Sequence, residues 1–191
     1  MPLDIKQRVS DFLQHATRHE SFDIPLFPLK TVLFPGGKLP LKVFEPRYMD
    51  MLSTCLRDKK PFGVCLILSG EEAGKPAQHA DTGCIAEIID WDMQQQGVLD
   101  IMVLGTQRFH IEATRVEPNG LIMARAVNIA PEPPQALPTS LQVCATLLRR
   151  LIEHLGVDRF MPPLNYSDTV WVSYRLAELL PLKLSVRQNM L

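Results

Sequence analysis

The sequence predicts an α+β protein in which a strand-rich body is followed by a helical segment. Three observations carry this. Short apolar runs, some alternating with period two, fill the stretch from Phe62 to Ile129. A proline cluster at Pro131, Pro133, Pro134 and Pro138 then interrupts the chain. Beyond it, apolar residues recur at helical spacing. The organisation expected is a helical extension over residues 1–22, a strand-rich subdomain over 23–130, a Pro-rich linker over 131–138 and a helical subdomain over 139–191.

In chain order, Ile5, Val9, Phe12, Leu13 and Ala16 share one face of a short helix. Prolines 25, 28 and 35 forbid a helix interior from Ile24 to Phe34 and suit edge strands and bends, with a turn at Pro35-Gly36-Gly37. Pro46 fits the first position of a helix whose buried stripe is Tyr48, Leu52, Cys55 and Leu56. Phe62 to Leu68 is an apolar run of strand length, and Ser69 to Thr82 reads as a mobile loop. Strands are expected over Ile85–Trp91 and Val98–Leu104, around the polar turn Gln94 to Gly97. Phe109, Ile111 and Ala113 alternate with polar neighbours as in a half-buried strand. Glu117-Pro118-Asn119-Gly120 fits a type I turn before a strand over Leu121–Ile129. These short strands predict a small barrel or sandwich. After the linker, a stripe from Leu141 to Leu155 starts near Thr139 or Ser140 and stops at Gly156. Ser167 or Asp168 caps the next helix, which Pro181 ends, and Ser185 to Gln188 has capping-box form for a last one.

Composition excludes several functions. Lys and Arg number 20 against 21 Asp and Glu, a net charge of -1 that argues against tracking a phosphate backbone. The four cysteines form no C-x-x-C pair, and Cys65, Cys84 and Cys144 sit in apolar runs as small hydrophobes. The amino terminus lacks a secretion-type apolar segment, and no run reaches the ~18 apolar residues of a membrane helix. The expectation is a cytoplasmic protein with no membrane partner.

Catalytic and metal motifs are likewise missing from the sequence. Gly36-Gly37-Lys38-Leu39 lacks the spacing and hydroxyl of a phosphate-binding loop. No serine carries glycine at both i-2 and i+2. His15 and His19 stand four apart but want further ligands, so they read as a polar helix face. Asp90 and Asp92 read as exposed strand-end acids, and Trp91 and Trp171 as core anchors. No catalytic, cofactor-binding or metal-binding residue is expected.

One pattern is specific. Ile24-Pro25-Leu26-Phe27-Pro28-Leu29, Val32-Leu33-Phe34-Pro35-Gly36, Leu39-Pro40-Leu41 and Val43-Phe44-Glu45-Pro46-Arg47-Tyr48 follow one another in an order and spacing that resembles the opening of the Lon protease amino-terminal domain. Phe62-Gly63-Val64, Thr82 to Ala86, Gly105 to Phe109, Leu176 to Leu182 and Gln188 to Leu191 agree with the later family segments. The resemblance covers roughly residues 24–191. It implies a PUA-like β-barrel followed by a helical subdomain, in a stand-alone form without the ATPase and Ser-Lys protease parts. It implies no cofactor and a non-catalytic role in recognising unfolded or extended protein segments, as substrate receptor or as adaptor to a separate protease or chaperone. The related domain of cereblon points the same way, but its ligand pocket belongs to another domain. RNA binding, borrowed from other PUA-like barrels, is the first alternative and a cryptic hydrolase the second.

The candidate protein-binding surface is Val32, Leu33, Phe34 and Pro35, where a short strand beside the Gly-Gly turn leaves apolar side chains for a partner or an edge for an extended peptide. Glu45, Pro46, Arg47, Tyr48 and Arg108 read as structural. Glu45 favours the helix dipole, and Arg47 or Arg108 is placed to pair with it.

Overall fold

The structure is a computed structural model and describes residues 20–72, 74 and 77–191. The helix expected from Ile5 to Ala16, and with it His15 and His19, lies outside the described residues. Phe22, placed above at the end of that extension, instead opens the first strand.

Among the described residues six strands form one mixed sheet: β1 (Phe22–Leu29), β2 (Lys38–Val43), β3 (Phe62–Ser69), β4 (Gln78–Gln95), β5 (Val98–Val116) and β6 (Ile122–Asn128). Their order is β2-β5-β4-β3-β1-β6, and β6 also pairs with β5, so the sheet closes on itself. β1 runs parallel to β3, and the other pairings are antiparallel. Closure depends on the length of β5. Its first half carries β2 (Leu41 opposite Ile101) and its second half carries β6 (Phe109 opposite Asn128) along the same edge, while β4 follows the other edge from Val98 to His110.

The helices among the described residues are α1 (Pro46–Asp58), α2 (Gln142–Leu155), α3 (Thr169–Leu179) and α4 (Leu184–Met190), with short 3-10 turns at Thr139–Leu141 and Val157–Arg159. Pro46 takes the first helical position of α1, and Gly156 ends α2 at φ 98°. Asp168 caps α3 by accepting from the Trp171 N–H at 2.8 Å. The Gly120 N–H donates to the Glu117 carbonyl at 2.8 Å, closing the turn expected there.

Three sequence expectations need correction. Ser185 is not a cap: α4 starts one residue earlier, behind Lys183, with no side-chain cap. The loop after β3 is shorter than expected because β4 already begins at Gln78. Ala113 is exposed, although it continues the alternation of Phe109 and Ile111. A register shift between Ile111 and Ala113 inserts a residue and turns the strand.

The main core lies under α1 and joins Phe27, Phe34, Leu52, Phe62 and Val103 to Tyr174, Ala177 and Leu191. A second cluster, including Leu26, Phe109 and Ile122, fills the other part of the ring. Leu148, Ile152, Phe160 and Val172 pack the helices together. The C-terminal helices thus have their own apolar contact and also complete the core of the ring.

Candidate functional site

The Pro35–Gly37 turn lies between the ring and α3. The Gly36 N–H donates to the Gly105 carbonyl at 2.7 Å, and the Gly105 N–H returns to the Gly37 carbonyl at 2.9 Å. From α3, Arg175 donates through Nη2 to the Pro35 carbonyl at 2.9 Å and holds Glu178 with two bonds of 2.7 Å. Both glycines are required by this clasp. Gly36 sits at φ +75°, and a Cβ on Gly37 would lie 2.1 Å from Glu178 Oε1.

The expected binding surface is therefore covered. Val32, Leu33 and Phe34 are buried, Phe34 completely, with its ring 5.1 Å from that of Tyr174. Pro35 is half-buried and its carbonyl is taken by Arg175. Apolar residues at a bend stay accessible only if nothing packs over the bend, and here α3 does. Beside the clasp is a cavity of about 300 Å³ lined by Lys38, Arg159, Arg175, Arg187 and Glu178. Burial pushes the Glu178 carboxyl up to about 7, against the pull of Arg175 and Arg187.

The motif residues hold α1 and the linker onto the ring. Tyr48 is buried and stacks on Phe27 at 4.1 Å. Arg47, also buried, lies 4.6 Å above the Tyr48 ring and donates through Nη1 to the Gly120 carbonyl at 2.9 Å. Its Nε is 2.8 Å from Glu45 Oε1, close enough for an ion pair though not aligned as a hydrogen bond. Arg108 serves elsewhere: it donates to the carbonyls of Leu191 (2.7 Å) and Ala130 (3.1 Å) and pairs with Glu132, which also accepts from the Tyr174 hydroxyl at 2.9 Å.

The exposed apolar surface is at the other end of β2. Leu41, Ile101 and Trp91 stand opposite one another across β2, β5 and β4, so their side chains share one face. Ile101 is in the core, Leu41 is half-buried, and Trp91 is 56% exposed. The core-anchor reading of Trp91 is corrected by two features: a register shift lies between Ile88 and Asp90, and β3 pairs with β4 no further along than Ala86, so Trp91 stands on a length of β4 flanked by β5 alone. Phe44, just beyond β2, is 64% exposed. Asp90, Asp92, Asp100 and Lys42 surround this ledge, with Lys42 Nζ 2.8 Å from Asp100 Oδ1.

The outer edge of β2 pairs with no strand among the described residues, yet it is poorly suited to accept one. Hydrogen bonding at Gly37–Gly105 sets the alternation, so Lys38, Pro40 and Lys42 turn their main-chain groups outward. Pro40 has no N–H to offer, and the two lysines bring charge, devices that protect a free edge. A second apolar surface is a groove of about 560 Å³ between α1, β1 and β6, floored by Ile24, Met51 and Met123 and rimmed by Asp23, Asp50 and Asp58.

The three buried cysteines are not activated thiols. Burial pushes the thiols of Cys55 and Cys84 up to about 11 and about 12, and raises Cys65 as well. They stay neutral at ordinary pH, the reverse of an activated cysteine. Among the described residues no cluster of His, Cys, Asp or Glu could hold a metal ion, and no helix is long and apolar enough to cross a membrane.

The family model of the ATP-dependent protease La (LON) substrate-binding domain matches residues 23–191. The chain belongs to this family. The Lon N-terminal domain protein of Xanthomonas campestris has a similar crystal structure, with TM-score 0.73 and 36% identity over 88% of each chain. The N-terminal domain of Mycobacterium avium complex Lon protease shares the fold at TM-score 0.60 and 11% identity, over 88% of this chain and 89% of that one. Protein cereblon of Danio rerio is 32% identical over 114 residues, 58% of this chain and 26% of cereblon. Lon protease of Parabacteroides distasonis is 32% identical over 98 residues, 50% of this chain and 12% of that protease. The chain thus spans about a quarter or less of the curated relatives it matches.

The α+β class and the Lon-type fold expected from the motifs hold for this LON substrate-binding domain. The motif residues quoted for the resemblance are mostly the inward-facing ones, such as Phe27, Phe34 and Tyr48. Trp91 and Phe44, the most exposed large aromatic side chains among the described residues, carry no binding motif in the sequence. The crowding of Asp90, Asp92 and Asp100 about Trp91 was the available signal, because an aromatic set among charges is awkward to bury.

Proposed function

We propose that this chain is a recognition module that binds segments of other proteins by contact and carries out no chemistry of its own. The observation that carries this reading is the exposed apolar ledge of Trp91 and Leu41, continuous with the core through Ile101 and lined also by Asp90, Asp92 and Asp100. An accessible aromatic platform with a polar rim is a common form of protein-binding surface. The family's substrate-binding role and the likeness to cereblon support the same reading. Recognition is by side chains and not by strand addition, because Pro40 interrupts the outward N–H row of β2. The carboxylates favour a segment whose apolar residues are flanked by Lys or Arg, and the groove under α1 repeats this combination of apolar floor and acidic rim.

Trp91 supplies a direct probe. In a Trp171→Phe background its emission is expected to shift to the blue, saturably, as a peptide with an apolar centre and basic flanks is added. The same peptide with acidic flanks should give a weaker response. An unchanged spectrum with the basic-flanked peptide overturns the reading.

A further inference from the structure

We propose that the cavity beside the Pro35–Gly37 turn is a binding site for a small oxyanion, a carboxylate or a phosphate. This goes beyond the protein-binding reading and does not depend on it. Four cationic side chains, Lys38, Arg159, Arg175 and Arg187, line this space of about 300 Å³ together with one carboxylate, Glu178. That carboxylate is already committed: both of its oxygens accept from Arg175 at 2.7 Å. The other three cations are left with carbonyl oxygens or with less. Lys38 Nζ donates to the Asp158 carbonyl at 2.9 Å, and Arg187 Nη2 donates to the Leu180 carbonyl at 2.8 Å. Arg187 Nε is buried with no hydrogen-bond partner, and no described carboxylate forms an ion pair with Arg159.

Converging like charges repel, and a guanidinium N–H withdrawn from water without an acceptor is costly. A bound oxyanion answers both, since its oxygens accept from several donors while its charge offsets the excess. The excess is local, because the chain as a whole carries a net charge of -1. The Arg175–Glu178 clasp fixes one wall, while Arg159 on the adjoining 3-10 turn is exposed and closes the site from the solvent side.

The test is a titration of the full chain with inorganic phosphate and, separately, with glutarate, followed by NMR of the arginine Nε–H groups. Saturable shifts of Arg159 and Arg187 are expected with at least one anion, and which anion saturates identifies the ligand chemistry. Arg159→Gln, a surface change that leaves the clasp intact, should weaken binding roughly tenfold, as expected for loss of one charged hydrogen bond. Arg125→Gln on β6 should leave it unchanged. Shifts that grow linearly without saturation for both anions, or equal affinity in wild type and Arg159→Gln, overturn the proposal.

Discussion

The Pro35–Gly37 turn and the β4–β5 hairpin invert what their residues suggest. The turn sits among prolines and glycines, the usual signs of an exposed bend, yet Phe34 beside it is fully buried. The hairpin carries a tryptophan in a strand-forming run, yet Trp91 is 56% exposed. Local composition describes what a segment can do, and long-range packing decides what it does. The turn is covered by α3, whose Arg175 reaches Pro35 across 140 residues of sequence. The hairpin stays open on the β4 side because β3 pairs with β4 no further than Ala86, and a bulge follows between Ile88 and Asp90.

If the two regions differ in this way, substitutions should separate them sharply. Phe34→Ala should cost the most, about 3–5 kcal/mol, since it opens a cavity in a closed core; urea unfolding measures it. Gly37→Ala comes next at about 1–3 kcal/mol, because the added methyl must displace Glu178 from Arg175. Read the same way, it should lower the unfolding midpoint without abolishing the fold.

Glu178→Gln tests the clasp through pH. The carboxyl is held up to about 7 in the folded chain, against 4.5 as its ordinary value. Between these values the native chain keeps a proton that the unfolded chain releases. The group's stabilising contribution is therefore full below about 4.5 and is lost as pH rises through about 7. The stability of wild type relative to Glu178→Gln should fall between pH 5 and pH 8. A difference independent of pH would contradict this assignment. Smallest of all, Trp91→Ala should change stability by less than about 0.5 kcal/mol, as expected for an exposed side chain.

Much of the fold was legible because its signals are local. Pro46 marks the start of α1, Asp168 caps α3 with its side chain and Gly156 stops α2, each through a local preference that needs no tertiary partner. Ring closure left no such mark. β5 runs as one strand through Gly105, which sequence reading treats as a break. The glycine is there because a Cβ would lie 2.3 Å from the Phe34 carbonyl. The candidate surface was misplaced for the same reason, since neither the α3 cover nor the bulge before Asp90 has a sequence signature of its own. The cationic cavity draws Lys38, Arg159 and Arg187 from three separate parts of the chain, so no spacing rule brings them together.

The central claim, recognition through the exposed ledge, is tested most directly by calorimetric titration of the basic-flanked apolar peptide into wild type and a Trp91→Ser chain. Affinity should fall roughly thirtyfold or more, the scale of losing an aromatic anchor at an interface, while the urea midpoint stays within error of wild type. Equal affinity for the two chains would contradict the account.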